Sequence, residues 1–275
     1  MLKLRIITAL VLVAIVLSAL FGLGREWFAL VAAAFFLAAA WEWSAWIGRL
    51  SVGGRSAWLV LVAGIMWAVE TWQLAAWLQW APLFWLFALV LVVRYPQGTG
   101  LWSSVAAMSI LGILVIVPAW AAVVHIKDHG ALGLDGPWAL LFVLLWVWAA
   151  DTGAYFAGRR FGKHKLAPSV SPGKTIEGLV GGVLLSLAVV VAVHQLAPIA
   201  IDAPLILLLP VALVTVLASV LGDLFESMVK RFRGVKDSGN VLPGHGGMLD
   251  RVDSVTAALP VAVALLSWAQ LPGGF

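Results

Sequence analysis

Cysteine is absent from this chain of 275 residues, and charged residues are scarce. Without cysteine, neither a disulfide nor a thiolate metal site can form. Charged residues make up only 11% of the chain and hydrophobic residues 63%, which leaves almost nothing for a soluble domain. The alternating segments of about 10 residues that are typical of a membrane β-barrel are lacking as well. These absences leave a helical membrane protein as the predicted class.

Long apolar runs recur along the whole chain, and each has about the 20 residues that a membrane-spanning helix needs. We therefore expect an all-α, polytopic integral membrane protein that forms one domain over residues 1–275. Residues 1–135 supply the N-terminal spans, and residues 136–275 supply the catalytic spans and loops. The apolar runs predict nine spans, at about 6–24, 27–48, 56–79, 81–96, 102–125, 136–157, 178–197, 203–229 and 254–270.

Lysine and arginine divide unevenly between the two faces of this predicted topology. Of the 17 such residues, 15 share the face of the N-terminus, and only Arg25 and Lys127 fall on the other. Basic residues accumulate on the cytoplasmic side of membrane proteins. The N-terminus and the polar loops are therefore expected to be cytoplasmic, and Arg159 and Arg160 are interpreted as basic anchors of this kind.

Two polar segments interrupt the apolar runs, residues 151–177 and 222–254. Together they hold seven of the 13 acidic residues and ten of the 17 lysines and arginines. Mixed charge at this density beside a membrane indicates a polyanion that is held by cations and by metal-bound carboxylates. The sequence therefore predicts an active site at the cytoplasmic rim of the helices.

Two pairs of acids stand three residues apart in the second segment. Asp223 and Glu226 share one face of the eighth span, and Asp250 and Asp253 repeat the spacing where the ninth span begins. Carboxylates at the edge of an apolar helix are costly and indicate function. Facing each other, they form a site for Mg²⁺, which usually takes one or two carboxylates together with substrate phosphates. The alternative is plain ion pairing, with Glu226 bound to Lys230 at i+4 and Asp250 or Asp253 paired in the neighbourhood of Arg251.

The loop between these acids is rich in glycine. Gly246 and Gly247 follow His245, and such a backbone can approach a ligand closely and form an anion-binding concavity. A flexible turn is the simpler reading of the glycines alone. His245 gains weight because Asp237 and Asp250 are close to it in sequence.

The first segment contains "SPGKT", which resembles a phosphate-binding P-loop but does not have the required glycine spacing. Ser171, Lys174 and Thr175 are still expected to donate to phosphate just before a helix, whose N-terminus favours anions. Asp151, at the end of an apolar run, either pairs with a loop cation or lines the site.

From Ser227 to Ser254, "SMVKRFRGVKDSGNVLPGHGGMLDRVDS" resembles the signature of the phosphatidate cytidylyltransferases, also called CDP-diacylglycerol synthases. The upstream "DTGAYFAGRRFGKHKLAPSVSPGKTIEG" and "ASVLGDLFES" are similar to the bacterial members, whereas residues before about 138 fit in hydropathy only. The signature positions that match are Ser227, Lys230, Arg231, Lys236, Asp237, Pro243, His245, Gly246, Gly247, Asp250, Arg251 and Asp253.

The resemblance implies an enzyme that converts CTP and phosphatidic acid to CDP-diacylglycerol and pyrophosphate in a bacterial inner membrane. It also implies Mg²⁺ on Asp223 and Asp250 and a second, monovalent cation such as K⁺ nearby. Glu226 and Asp253 are further candidate ligands because of their spacing. Homodimers are typical of the family, and no nucleic acid is expected as a partner. The remaining negative charge of the substrates would be shared by Lys174, Lys230, Arg231, Lys236 and Arg251.

Two rival classes fit the sequence less well. CDP-alcohol phosphotransferases carry D-G-x₂-A-R followed by G-x₃-D-x₃-D, a pattern that does not occur here. A secondary transporter would place its acids near the membrane midplane in broken helices and paired repeats. Glu42 and Glu70 are acids within apolar spans for which the sequence indicates no role.

Overall fold

Helices form most of the chain, and the predicted all-α fold is confirmed. The computed structural model describes residues 2–196, 201–239, 241 and 246–271. Within them the α-helices are α1 (Leu2–Gly22), α2 (Arg25–Ile47), α3 (Val52–Thr71), α4 (Ala81–Arg94), α5 (Val105–His129), α6 (Gly136–Phe161), α7 (Ile176–Leu196), α8 (Leu205–Arg233) and α9 (Leu249–Trp268).

Seven segments of the described chain are long and apolar enough to cross a membrane, which confirms the polytopic class. The helix α1 has a shorter apolar part, Val13–Gly22. The helix α9 carries three charged residues in its first two turns, and it is not among the seven. Nine crossings therefore stay a prediction. The seven segments are Arg25–Ile47, Val52–Thr71, Ala75–Arg94, Val105–His129, Gly136–Phe161, Ile176–Leu196 and Leu205–Arg233.

The predicted boundary between the third and fourth spans is wrong. We expected one helix over 56–79, but α3 ends at Thr71 and a 3₁₀ segment, Leu74–Trp80, leads directly into α4. Gln73 has a φ of 48°, in the left-handed region, which an α-helix cannot accommodate. Because Trp and Ala continue on both sides, hydropathy alone does not reveal this break.

The centre of the bundle is formed by α5 and α9. Every residue of α9 from Ala257 to Ala264 is buried, and alanine is frequent there. Small side chains let neighbouring helices approach closely, which is how helices associate where lipid removes the hydrophobic driving force. The helix α2 joins this centre through Trp43, whose Nε1 donates to the carbonyl of Met108 on α5 over 2.9 Å.

Glycines set the spacing of α6 and α7. A Cβ atom added at Gly182 would lie 2.5 Å from the carbonyl oxygen of Ala150, and one at Gly178 would lie 3.0 Å from that of Ala154. Gly178 and Gly182 thus form a pair of small residues, four positions apart, at which the two helices pack closely. This close hairpin brings the end of α6 against the start of α7, where the first polar segment lies.

A two-stranded hairpin connects α6 to α7, where the sequence predicts only a loop. Strands β1 (Lys165–Ala167) and β2 (Ser171–Thr175) pair antiparallel. Glu177 on α7 holds the base of the hairpin, because its carboxylate accepts from the backbone N–H of Lys163 over 3.0 Å and from that of His164 over 3.2 Å. Strands this short show too little alternation to be recognised in sequence.

Candidate active site

A polar cavity of about 420 Å³ opens where α6, α7, α8 and the hairpin meet. It collects residues from both polar segments, which stand about 70 positions apart in the sequence. The cavity is thus built from the region where the sequence places the active site. Its polar wall consists of Asp151, Tyr155 and Arg159 from α6, Lys174 and Thr175 from β2, and Asp223 from α8.

Lys174 and Asp223 form an ion pair across this cavity. Lys174 Nζ lies 2.7 Å from Asp223 Oδ2, and both side chains are about a quarter exposed, at 26% and 28%. Ser227, one turn along α8, donates its hydroxyl to Asp223 Oδ1 over 3.2 Å. Asp223 is therefore oriented from two sides, and Lys174 is held at the cavity wall.

A second lysine, Lys230, bridges α8 and α9 in a buried position. Its Nζ lies 2.6 Å from Asp250 Oδ1, to which it donates a hydrogen bond, and 3.0 Å from Glu226 Oε1. The ion-pair alternative, Glu226 with Lys230, is confirmed in this geometry. The contact with Glu226 is an ion pair without hydrogen-bond geometry, so both oxygens of that buried carboxylate lack a hydrogen-bond donor from the described residues.

Asp250 receives three donors, which favour the ionised form of its carboxylate, because hydrogen bonds to a charged group stabilise it. Beyond Lys230 on Oδ1, its Oδ2 accepts from the backbone N–H of Ser238 over 2.8 Å and of Gly247 over 2.9 Å. Gly246 has a φ of 81°, and a Cβ there would lie 2.7 Å from Asp250 Oδ2. The glycine pair predicted to approach a ligand thus approaches a carboxylate of the site.

Asp253 lies one turn further along α9, against α8. A Cβ at Gly222 would lie 2.5 Å from the carbonyl oxygen of Asp253, so the two helices touch at this level. Asp253 Oδ1 accepts from the N–H of Ser254 over 2.7 Å. The two acid pairs expected on facing helices do face each other.

The site fits a hard divalent cation. Carboxylates outnumber the lysines that contact them, and Glu226 has two buried oxygens that receive no hydrogen bond from the described residues. In that same part of the chain, no three acidic or histidine side chains converge closely enough to hold a metal alone. Mg²⁺ usually completes its six ligands with water and substrate phosphate, so carboxylates of this number suit a metal that is bound together with a nucleotide.

The other basic residues predicted for the site are more dispersed. Arg231 is exposed, and its Nε donates to the carbonyl of Val170 in the hairpin over 3.2 Å. Lys236 and Asp237 lie exposed in the loop after α8. Arg251 lines a different cavity, an apolar one of about 180 Å³ between α1, α2, α5, α6 and α9. The structure does not bring Arg251 together with Lys174.

The two hydroxyl residues of "SPGKT" differ in position. Thr175 is buried and caps α7, since its Oγ1 accepts from the N–H of Gly178 over 3.1 Å. Its hydroxyl proton remains able to donate. Ser171 is half-buried in β2, opposite Ala167. His245, with residues 242–244, lies outside the described residues, so its predicted role stays a prediction.

Arg159 lines the polar cavity, and its guanidinium donates to the Tyr155 hydroxyl over 3.0 Å. Its interpretation as a basic anchor on the cytoplasmic side stays a prediction. The spacing of residues on α6 explains why Arg159 lies in the cavity wall. Asp151, Tyr155 and Arg159 follow one another at four-residue spacing, which puts them on one side of α6.

Two further acids receive partners that the sequence did not suggest. Glu42 on α2 is buried and contacts the loop before α9, over 200 positions away. Because its partners are so distant in sequence, no local sequence pattern around Glu42 reveals these contacts. Glu70 pairs with Arg25 over 3.1 Å, and Arg25 also reaches Asp128 over 3.2 Å. That second cluster joins α2, α3 and α5 away from the polar cavity.

Comparison with known proteins shows which family this chain belongs to. The model of the cytidylyltransferase family matches residues 3–269. The chain is 48% identical over 272 residues to a phosphatidate cytidylyltransferase of Pseudomonas aeruginosa, and the match covers 98% of each chain. It is 39% identical over 278 residues to that of Haemophilus influenzae, which covers 94% of this chain and 96% of the relative. The enzyme of the same name from Bacillus subtilis is 36% identical over 185 residues, 66% of each chain.

Proposed function

Because this chain belongs to the cytidylyltransferase family and is thus a nucleotidyltransferase, we propose that its polar cavity transfers the cytidylyl group of CTP to phosphatidic acid. The products are CDP-diacylglycerol, a precursor for phospholipid synthesis, and pyrophosphate. This reaction needs a site where a water-soluble nucleotide meets a membrane lipid.

One observation carries this proposal. The polar cavity adjoins an apolar groove of about 490 Å³, and the two share Leu166, Leu179 and Val220 in their walls. The groove continues along α4, α8 and α9, past Trp85, with almost no polar surface. A charged cavity next to an apolar groove matches a phosphate headgroup joined to acyl chains.

The chemistry follows from the charges in the cavity. An oxygen of the lipid phosphate attacks the α-phosphorus of CTP, the bond from that phosphorus to the bridging oxygen of the β-phosphate breaks, and pyrophosphate leaves. No general base is required, because a phosphate monoester has a second pKa of about 6 and is largely ionised at neutral pH. The protein supplies mainly positioning and charge neutralisation, as in other phosphoryl transfers.

Lys174, in the cavity wall, is the cation best placed for this task, and Lys230 would act from its buried position between α8 and α9. Each already contacts a carboxylate, which Mg²⁺ would compensate when a phosphate oxygen takes its place on the lysine. Arg159 and Arg231 stand at the cavity wall and at the hairpin, where they can contact the outer phosphates. Thr175 can add a hydroxyl donor. Charge-assisted contacts of this kind are stronger than neutral ones.

We propose Asp223 and Asp250 as the residues that would hold Mg²⁺, with Glu226 and Asp253 beside them on the same helices. When bound, Mg²⁺ would neutralise phosphate charge and stabilise the leaving pyrophosphate. A monovalent cation such as K⁺ as a second ion and a homodimeric assembly also remain part of the proposal. His245 is proposed to position phosphate; an unchanged rate in His245→Ala would remove it from the site.

The test is incorporation of radiolabelled CTP into lipid by purified protein with phosphatidic acid and Mg²⁺. We expect a CDP-lipid from the wild type and none from Asp223→Asn and Asp250→Asn. Thermal unfolding in detergent should show that both variants are folded. A wild type that makes no CDP-lipid across several phosphatidic acids and cations would overturn the proposal. A transporter would consume no CTP, so the same assay separates the two classes.

The proposed location is the bacterial inner membrane, with the site on the cytoplasmic side. Because the chain has no cysteine, single cysteines can be placed without background. Lys163→Cys in the loop after α6 should be protected from a membrane-impermeant thiol reagent in intact spheroplasts, whereas Thr71→Cys at the end of α3 should be labelled. Both side chains are exposed. The reverse pattern would contradict the orientation.

A further inference from the structure

Glu42 on α2 makes contacts that no part of the proposed reaction uses. Its side chain is buried, with the residue 4% exposed. Oε1 accepts from the backbone N–H of Met248 over 2.9 Å, and Oε2 accepts from that of Leu249 over 2.8 Å. Ser238 donates its hydroxyl to Oε2 over 2.8 Å as well. A carboxylate from one helix thus caps the start of another, α9.

The capped groups are ones that a helix cannot satisfy by itself. The first N–H groups of an α-helix have no partner within it, and the N-terminus carries a partial positive charge that favours an anion. Among the described residues no lysine, arginine or histidine forms an ion pair with Glu42, so these donors are what balances its charge there. In a buried position, a carboxylate without them would be strongly disfavoured.

Two glycines of the loop are packed directly against this carboxylate. A Cβ at Gly239 would lie 2.5 Å from Glu42 Oε1, and one at Gly247 would lie 2.4 Å from Oε2. Any larger residue at either position would have to displace the carboxylate. Glycine at these two positions therefore allows the Glu42 carboxylate to lie close to the backbone of the loop. Gly247 also contacts Asp250.

Ser238 connects Glu42 to the proposed catalytic acid. Its hydroxyl donates to Glu42 and accepts from the backbone N–H of Asp250 over 3.3 Å, while its own N–H donates to Asp250 Oδ2 over 2.8 Å. The N–H of Gly247 donates to the same oxygen. Holding Ser238, Met248 and Leu249 in place thus also holds Asp250 toward Lys230.

The helix that carries Glu42 is itself well anchored. Trp43 donates to the Met108 carbonyl on α5, and its ring stacks on Phe225 of α8 with ring centroids 6.4 Å apart. Phe225 immediately precedes Glu226. Glu42 thus extends from a fixed base that touches the same turn of α8 that bears the site.

We propose that Glu42 is a positioning residue, which caps α9 and, through Ser238, orients Asp250 for the reaction. Its link to catalysis rests on the function proposed above, whereas the capping role does not. Glu42 lines neither the polar cavity nor the apolar groove. It therefore acts only through the loop and the start of α9.

The test compares Glu42→Gln, Glu42→Ala and Ser238→Ala with Glu70→Gln, a matched control at an acid within another apolar helix, away from the cavity. Glutamine keeps the size of Glu42 but offers one acceptor oxygen instead of two, and its NH₂ would face an N–H of α9. Hydrogen exchange is measured at the amides of Met248 and Leu249 in detergent-purified full-length protein. Because these amides have no partner within α9, their protection reports directly on Glu42.

We expect protection at Met248 and Leu249 to fall in both Glu42 variants, and to persist in Ser238→Ala and Glu70→Gln. We expect kcat per folded enzyme to fall about 100-fold in Glu42→Ala, the loss typical of a catalytic group displaced by about 1 Å. Glu42→Gln and Ser238→Ala should lose less, and the KM for CTP should change by about threefold or less, since no substrate contact is removed.

Either of two results would overturn the proposal: unchanged exchange at Met248 and Leu249 in Glu42→Gln, or a kcat in Glu42→Gln and Ser238→Ala equal to that of Glu70→Gln. The first result would contradict the capping role of Glu42, and the second would contradict its link to catalysis. Glu42→Gln keeps the test decisive where Glu42→Ala does not fold. If the wild type transfers no cytidylyl group, the exchange data still decide on the cap, so failure of the proposed function is distinguishable.

Discussion

Lys230 Nζ lies 2.6 Å from Asp250 Oδ1 and 3.0 Å from Glu226 Oε1, so one buried cation pairs with acids on two helices. The pair Lys230–Asp250 spans the connection from α8 to α9, which includes residues outside the described chain. This contact therefore joins the two helices at the end where the proposed site lies. It also compensates part of the charge that these two acids carry.

Lys230→Met should destabilise the protein and abolish turnover. Removing one member of a buried ion pair leaves the other charges uncompensated and costs about 3–5 kcal/mol. Lys163→Met is the matched control, because Lys163 is exposed and outside the site. Thermal unfolding in detergent should show a lower midpoint for Lys230→Met alone. An unchanged midpoint together with an unchanged kcat would show that the bridge has neither role.

Lys174→Ala should impair catalysis without affecting stability. Its ion pair with Asp223 is about a quarter exposed, and exposed pairs contribute only about 0–1 kcal/mol. Loss of a charge-assisted contact to phosphate, about 1.5–3 kcal/mol, should lower kcat/KM for CTP by roughly 10- to 100-fold.

Lys165→Ala provides the comparison for that variant, because Lys165 lies on the paired strand β1 of the same hairpin and is exposed. It should retain the wild-type kcat/KM. Equal losses in both variants would indicate a general effect of hairpin charge, and Lys174 would then have no specific contact with the nucleotide.

Most of the helical architecture could be predicted because few backbone structures are stable in a bilayer. Backbone N–H and C=O groups in lipid must pair within the protein, so an apolar run of spanning length indicates a helix. The break at Gln73 was missed, since it depends on one backbone angle in an apolar context. The hairpin from Lys165 to Thr175 was missed, because strands this short leave no pattern.

The site was predictable to the extent that its chemistry is local in sequence. The spacing of Asp223 and Glu226, and of Glu226 and Lys230, follows from helix geometry, and the ion pair is confirmed. The partner of Glu42 could not be predicted, since a backbone N–H group is present at every residue and carries no side-chain signature. Contacts of this type become visible only when two distant segments are placed together.

Gly182→Ala should loosen the wall of the polar cavity. The added Cβ would lie 2.5 Å from the carbonyl oxygen of Ala150, which neighbours Asp151. Overpacking of this kind typically costs about 1–3 kcal/mol. Gly64→Ala on α3 is the control, because nothing lies within 4 Å of its Cβ position, and alanine in a helix is about 1 kcal/mol better than glycine. In thermal unfolding, the midpoint should fall for Gly182→Ala and rise for Gly64→Ala. A loss in Gly64→Ala as large as that in Gly182→Ala would refute close packing as the cause.

Leu179→Trp should discriminate between the two substrates. Leu179 belongs to both the polar cavity and the apolar groove, so a larger side chain there narrows the passage between headgroup and acyl chains. Crowding of an apolar contact by about 1–3 kcal/mol should raise the KM for long-chain phosphatidic acid about tenfold, whereas the KM for CTP and turnover of a short-chain phosphatidic acid should change little. Leu184→Trp, at a position of α7 that is 63% exposed, should behave as the wild type. If long-chain and short-chain lipids are affected equally, the groove does not hold the acyl chains, and the lipid must reach Asp223 and Lys174 by another side of the cavity.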